Sequence, residues 1–291
     1  MTNLSIIILS YNTASLTLAC LQSLVDHYKK ELEEAVFEII VVDNNSSDNS
    51  IETIETAVIS SHVTLIKNPH NDGFAKGINL GAKKAKGTYL LFLNSDTKMQ
   101  DNGLVDMVSF FEKNPDVGIM GGRLQNPDGT YQSSAGVFYT VPRVALLLAG
   151  GERFGQLRFS PDTKTAVDWL SGAMMMVKKS FFEEIGKFDE KIFMYMEDME
   201  LCFRVRKMGK QVIFYPACTI THVSHGSSNR GFAIVQIYKG IVYFYEKHQS
   251  ATALGIVKAM LFVKAYCLFL LGLVIGNAYL RDTYKKALAA L

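Results

Sequence analysis

Several short clusters in this chain carry residue types that can grip a polar ligand or move a proton. Asp43 closes the apolar run Phe37-Glu38-Ile39-Ile40-Val41-Val42 and opens Asn44-Asn45-Ser46-Ser47-Asp48. A carboxylate there can accept a hydrogen bond from the ring N–H of uracil, thymine or guanine, and the same residues can equally form an Asx turn or a helix cap. Asn94-Ser95-Asp96 closes a second apolar run, Tyr89–Leu93. One carboxylate beside two small polar groups can hold a hard divalent cation whose other ligands are phosphate oxygens and water. Such a cation would neutralise a nucleoside diphosphate expelled from a sugar carbon. An ordinary polar strand end has the same appearance. Glu197-Asp198 stands at a predicted helix start, with Leu201, Cys202 and Val205 as the buried stripe behind it. Acids in a first turn complement the helix dipole; a carboxylate fixed there can also serve as the base for a sugar hydroxyl. His222 and His225 lie in a segment of Thr, Ser and Gly, open to a metal or phosphate role or to structural hydrogen bonding. Zinc is disfavoured because no second ligand pair has the right spacing.

The elements that must position these clusters alternate over the first hundred residues. Leu4–Leu9, Phe37–Val42, Val63–Ile66 and Tyr89–Leu93 read as strands, and Ser15–Lys30, Asn49–Ser60 and Gly77–Lys86 as helices. Strands that are apolar throughout and separated by helices predict a parallel sheet covered on both faces. Ligands of such sheets bind beyond the carboxyl ends of the strands, where Asp43 and Asp96 fall. The middle is less regular, and residues 145–165 read as a mobile loop without secondary structure. Order is predicted again in a strand at Ala173–Val177, a helix from Lys179 to Ile185, a helix from Met194 to Met208 and a strand at Val212–Tyr215.

Apolar residues make up 48% of the 291 and charged ones 20%, which excludes disordered and fibrous classes. A net charge of +2 is too balanced for a protein built to grip nucleic acid. The basic excess sits in the tail, where Lys258, Lys264, Arg281, Lys285 and Lys286 face only Asp282. Ala259–Leu280 carries one charge, Lys264, and is long enough to cross a bilayer or to lie in its interface. The four cysteines are scattered and read as thiols of a reducing compartment. The first apolar run lacks the basic flank of a signal peptide, so the catalytic body is expected in the cytoplasm.

Taken in order, these pieces resemble the glycosyltransferases of family two, with the GT-A fold. The resemblance rests on Ser5-Ile6-Ile7-Ile8-Leu9-Ser10-Tyr11-Asn12, Val41–Asp48, Asn71-Asp72-Gly73-Phe74-Ala75-Lys76-Gly77-Ile78-Asn79 and Leu91–Asp96. It continues through Gly172-Ala173-Met174, Phe188-Asp189-Glu190, Glu197–Cys202 and His222–Gly226, covering about residues 4–230. The Asn-Asp-Gly-Phe-Ala and Phe-Met-Tyr-Met-Glu-Asp forms are nearest to the rhamnosyltransferase-like branch, which builds bacterial surface polysaccharides.

The resemblance implies an α/β fold, a GT-A type mostly parallel sheet flanked by helices, with a C-terminal helical extension that associates with the membrane. Residues 1–98 would form the nucleotide-sugar half, 99–232 the acceptor half and 233–291 the membrane segment. It implies that Asp43 holds the pyrimidine N3–H, and that Ser10, Tyr11, Asn12, Asn71, Gly73, Lys76, Asn79, Asn94 and Ser95 belong to the donor pocket. Asp96 and His222 would hold Mn2+ or Mg2+. Asp198 would be the base, with Glu197 beside it. The implied partners are a dTDP- or UDP-linked sugar and a lipid-linked glycan at the cytoplasmic face of a bacterial inner membrane, and no nucleic acid. Two departures stand out. The DXD position reads Asn94-Ser95-Asp96, leaving one carboxylate, and the QxxRW motif of processive synthases is absent, which points to one sugar per encounter. One base and no placed nucleophile predicts inversion. Donor alternatives are UDP-hexose and UDP-N-acetylhexosamine; a non-catalytic sugar-binding membrane protein is the rival of another class. The absence of GxGxxG after a strand argues against a dinucleotide oxidoreductase.

Overall fold

A computed structural model describes residues 2–223 and 229–291. His225 lies outside the described residues. The first half alternates as its periodicity predicts: β1 (Leu4–Ser10), α1 (Ala14–Glu33), β2 (Phe37–Asp43), α2 (Ser50–Thr56), β3 (Val63–Lys67), α3 (Gly73–Lys84) and β4 (Tyr89–Asn94). The second half adds β5 (Thr97–Met99), α4 (Gly103–Lys113), β6 (Val117–Gln125), β7 (Tyr131–Gln132), β8 (Ala135–Gly136), α5 (Val141–Leu148), β9 (Arg158–Phe159), β10 (Thr165–Ala166) and β11 (Trp169–Leu170). Then follow β12 (Met174–Lys178), α6 (Lys179–Glu184), α7 (Glu197–Lys207), β13 (Gln211–His222), α8 (Arg230–His248), α9 (Ala251–Val274) and α10 (Ala278–Leu288).

The main sheet runs β10-β13-β6-β12-β4-β1-β2-β3. It is mixed and mostly parallel: β4-β1-β2-β3 are parallel neighbours, and β12 is antiparallel to both β4 and β6. Register does the positioning. Ser10 pairs with Asp43 and Leu9 with Asn94, so the polar ends of three strands reach one edge together. Successive strand side chains point to opposite faces, and the core follows that rule. Ile7 and Phe92 pack on one face, while Ile6, Ile8 and Leu91 pack on the other under Leu21, Leu24 and Tyr28 of α1.

Three expectations are corrected. Residues 145–165 are not a loop without secondary structure. They hold the end of α5, a short 3-10 turn at Gly151–Phe154, β9 and the start of β10. Local periodicity missed these because each piece is two to eight residues long and is fixed by pairing with distant strands. The last strand runs past Tyr215 to His222, because Pro216 falls at a register shift between Phe214 and Thr219 and pairing resumes beyond it. His222 is therefore a strand residue rather than a loop residue. The apolar run 259–280 is not one helix: α9 ends at Val274, and Gly276, with φ +67°, turns the chain into α10.

The C-terminal helices share the core of the main sheet. Tyr238, Ile241, Phe244 and Tyr245 of α8 and Val257, Leu261 and Ala265 of α9 belong to the same buried cluster as Ile7 and Phe92. In α9 the buried residues fall at i and i+4 spacing, the stripe of a helix that shows one side to protein. Its other side is equally apolar yet exposed, with Phe262, Val263, Leu271, Leu273 and Val274 outward. The helix is 24 residues long, with a mean hydropathy of 2.0 over its most apolar window, of which 17% is buried.

Candidate active site

The carboxyl edge of the parallel strands opens into a cavity of about 690 Å³. Behind it, Asp43 is fully buried; its Oδ2 accepts the Ser46 N–H at 3.0 Å, and its Oδ1 has no partner among the described residues. Asn44, next along, reaches the cavity and donates to Asn71 Oδ1 at 2.9 Å and to the Gly73 carbonyl at 3.1 Å. Gly73 starts α3 with φ +82°, and a Cβ there would lie 2.2 Å from the Phe193 carbonyl oxygen. Only glycine lets that loop close over the helix start, where the Phe74 N–H donates to Phe193 O at 2.7 Å.

The β5–β13 pairing sets Thr97 opposite His222, which brings the imidazole onto Asp96. His222 Nε2 and Asp96 Oδ1 are 3.3 Å apart, and Asn94 Nδ2 is 3.3 Å from the same nitrogen. His222 Nδ1 faces Gln132 Oε1 at 2.9 Å. An N–H on Nδ1 donating to that oxygen leaves the Nε2 lone pair toward Asp96, the orientation a metal-ligating histidine needs. The 3.3 Å spacing is near the roughly 3 Å between adjacent ligands of an octahedral cation with bonds of about 2.1 Å. Among the described residues no group of three His, Cys, Asp or Glu could hold a metal. A divalent cation held by this pair would have to take its other ligands from phosphate and water.

Glu197 and Asp198 open α7 behind Tyr195 and Met196, both left-handed at φ 66° and 74°. Two consecutive non-glycine residues in that region cost about 1–2 kcal/mol each. The packing holds them there: α8 passes so close that a Cβ on Gly240 would lie 2.7 Å from Met196 Cγ. One turn along α7, the fully buried Glu200 accepts hydrogen bonds from Arg204, from Lys247 Nζ at 2.8 Å and from His248 Nε2 at 2.9 Å, tying α7 to α8. Asp198 Oδ2 accepts the Gly172 N–H at 3.0 Å and its Oδ1 the Met199 N–H at 2.7 Å. Burial raises the pKa of both acids, and the Asp198 charge pushes Glu197 further up. The two backbone donors and Arg158 pull Asp198 back down, whereas Glu197 Oε2 is buried with no partner among the described residues. Both acids therefore stand above the ordinary carboxylate range, Glu197 further above it than Asp198.

Of the residues singled out in the sequence, Tyr11, Asn71, Gly73, Asn94, Ser95, Asp96, Glu197, Asp198 and His222 line this one cavity. Others stand elsewhere. The Ser10 hydroxyl is buried against Thr13 and Thr17. Asn12 Oδ1 accepts the N–H groups of Ser47 and Asp48, so it staples the loop after β2. Lys76 pairs with Asp72 at 2.9 Å on the surface. Asn79 is buried and spends both ends of its amide on Phe188. Sequence reasoning missed Tyr139, Glu152, Arg158, Tyr238 and Lys264, which also line the cavity. Arg158 lay in the stretch read as a loop, and Lys264 looked like a lone charge interrupting an apolar run.

The family model for glycosyl transferase family 2 matches residues 5–186. The chain belongs to that family. It is 28% identical over 218 residues to O-antigen biosynthesis protein RfbC of Myxococcus xanthus, covering 72% of this chain and 16% of the relative. Identity is 26% over 213 residues to N-acetylglucosaminyl-diphospho-decaprenol L-rhamnosyltransferase of Mycobacterium tuberculosis, covering 66% of this chain and 68% of the relative. The chain thus spans a small part of the first relative and about two thirds of the second. Among solved structures it resembles GalNAc-T7 with UDP, GalNAc and Mn2+, at TM-score 0.62 and 17% identity over 84% of this chain and 50% of that one. It also resembles the mannosyltransferase PcManGT of Pyrobaculum calidifontis with GDP-Man and Mn2+, at TM-score 0.59 and 15% identity over 99% and 85% of the two chains. These likenesses show a GT-A type fold, and the protein is a glycosyltransferase.

Proposed function

We propose that this glycosyltransferase moves one sugar per encounter, with inversion, from a nucleotide diphosphate sugar to a hydroxyl of a lipid-linked glycan. dTDP-rhamnose is the first choice of donor, and the product belongs to a bacterial surface polysaccharide. The observation that carries the proposal is that Asp198, a half-buried carboxylate held by two backbone N–H groups, lines the same cavity as the Asp96–His222 pair. Asp198 takes the proton from the acceptor hydroxyl, whose oxygen attacks the anomeric carbon as the nucleoside diphosphate departs. A divalent cation held by Asp96 and His222 would neutralise the departing diphosphate. Asp43 Oδ1, buried without a partner among the described residues, would take the N3–H of a pyrimidine from behind the cavity, which Asn44, Asn71 and the Gly73 turn line. Residues 1–98 then serve the donor and 99–232 the acceptor.

The donor and acceptor assignments draw support from the decaprenol-linked substrate and the rhamnosyl transfer in the relative's name. The outward apolar side of α9, flanked by Lys258, Lys285 and Lys286, supports seating of residues 233–291 in the cytoplasmic leaflet as a peripheral or monotopic protein. Calorimetric titration with dTDP, UDP and GDP, each with and without Mn2+, tests the reading. Mn2+-dependent binding that prefers dTDP is expected. Preference for UDP would move the donor to the hexoses, and binding of none of the three would overturn the roles of Asp43 and Asp96 together.

A further inference from the structure

The cavity is lined by more residues than the transfer chemistry uses, and one stretch of its lining has a different character. Ile234, Ile237 and Ile241 of α8 and Leu148 at the end of α5 contribute apolar lining. Two cations stand in this apolar setting. Arg158 lies over the Trp169 ring at 5.3 Å and donates to the Ser133 carbonyl at 3.3 Å, and its Nε is buried with no partner among the described residues. Lys264, from the middle of α9, donates to the Leu148 carbonyl at 2.8 Å. Among the described residues neither makes an ion pair with a carboxylate. The bond to Leu148 occupies one of three ammonium donors and caps the α5 carbonyl end. Tyr139 also lines the cavity, and its hydroxyl donates to Glu152 Oε1 at 3.4 Å. Tyr238 is 5% exposed, lines the cavity and has a buried hydroxyl with no partner among the described residues. Arg158 is also close enough to Asp198 for its charge to act on that carboxyl, so this stretch adjoins the base.

Two cations in no close ion pair among the described residues, a buried Tyr238 hydroxyl without a partner among those residues, and an apolar lining together fit a ligand that is anionic at one point and greasy beyond it. A nucleotide is polar throughout, and a free glycan lacks both the charge and the chain. We propose that this stretch of the cavity binds a phosphate group carried on an apolar chain, received by Arg158 and Lys264 with the Tyr238 hydroxyl, the chain leaving along the isoleucines of α8 toward the exposed side of α9. The inference rests on the transferase reading above, in which that phosphate belongs to the acceptor lipid and its sugar extends toward Asp198. A phospholipid headgroup offers the same chemistry and is the competing source.

Binding to the full chain in mild detergent tests this, with three probes. They are farnesyl-diphosphate-linked N-acetylglucosamine, octyl N-acetylglucosaminide as the uncharged counterpart, and phosphatidylglycerol vesicles. The diphosphate compound is expected to bind at least tenfold tighter than the octyl glycoside, because charge-assisted bonds are the strong ones. Lys264→Gln and Arg158→Gln should each remove about tenfold of that preference and leave the octyl glycoside unchanged. Lys264→Arg should retain it, which separates lost charge from lost folding. Equal affinity of the wild type for the two glycosides would overturn the proposal, as would equal losses for both in the variants. A loss confined to the vesicles would assign the cations to membrane headgroups and also overturn it. Donor titration is run on the same samples: if the wild type binds the diphosphate lipid but no nucleotide, the transferase reading fails and this site stands.

Discussion

Replacing Asp198 by asparagine keeps the shape of the side chain and removes its ability to take a proton. Both carboxylate oxygens accept backbone N–H groups, at 3.0 Å from Gly172 and 2.7 Å from Met199. An amide has one accepting oxygen, so one of those N–H groups would face an NH2. An unmade buried hydrogen bond costs about 1–3 kcal/mol. That is below the stability of about 5–15 kcal/mol of a folded domain, so Asp198→Asn should fold, with Tm lowered by about 2–4 °C per kcal/mol lost. The chemical cost is larger. A positioned general base contributes about 10²–10⁴-fold, or roughly 2.7–5.4 kcal/mol at 1.36 kcal/mol per decade. Initial rates with labelled donor at saturating donor and acceptor should show kcat down at least about 100-fold, while calorimetry shows donor Kd nearly unchanged. In the wild type, activity should fall on the acid side through a midpoint above the ordinary carboxylate range, because burial raises the Asp198 pKa. That limb should vanish in the residual rate of the variant. Retention of more than about a tenth of wild-type kcat would refute the base assignment, as would a loss lying wholly in donor affinity.

Other outcomes follow from the geometry. Glu197→Gln should gain stability over wild type as pH rises. The native Glu197 pKa is raised by burial and by Asp198, so wild-type stability is full below about pH 4.3, the unfolded value. It is lost as pH climbs toward the raised folded pKa. Calorimetric Tm values of both proteins from about pH 5 to 8 check this, and a gap that does not widen with pH would contradict it. Gly73→Ala should cost about 2–4 kcal/mol in urea unfolding, because its Cβ would lie 2.2 Å from the Phe193 carbonyl and φ is +82°. Asp96→Ala and His222→Ala should abolish most of the Mn2+ dependence of nucleotide binding. Gln132→Ala, which removes the partner of His222 Nδ1, should weaken metal affinity about tenfold or more, read by Mn2+ titration. Val274→Asp, at a position 84% exposed, should reduce sedimentation with liposomes and leave Tm unchanged; an unchanged liposome fraction would argue against α9 as the seat.

Much of this protein is legible in its sequence. Ile6-Ile7-Ile8 and Leu91-Phe92-Leu93 are apolar without a break, and only a strand buried on both faces tolerates that pattern, so the parallel sheet follows from local periodicity. Because parallel strands end together, Asp43 and Asn94-Ser95-Asp96 had to reach one edge. The approximate reach of the C-terminal helices could be read for the same reason: local spacing records which residues can be buried.

What spacing does not record is where a polar side chain points, or which distant backbone it meets. Asn12 and Asn79 stand in the right segments, yet their amides are spent on the Ser47–Asp48 and Phe188 backbones. The Asp96–His222 pair joins residues far apart in sequence through the β5–β13 register, recovered beyond a bulge at Pro216. The left-handed turn that presents Asp198 depends on the missing side chain of Gly240 in α8; Arg158 reaches the cavity from a short strand that gave no local signal, and Lys264 from a helix whose apolar pattern did not show where its one charge points. Each of these arises from long-range packing, whose contacts are chosen by the whole fold. The sequence alone therefore determined the sheet, its active edge and the family; the tertiary structure decided which side chains meet there.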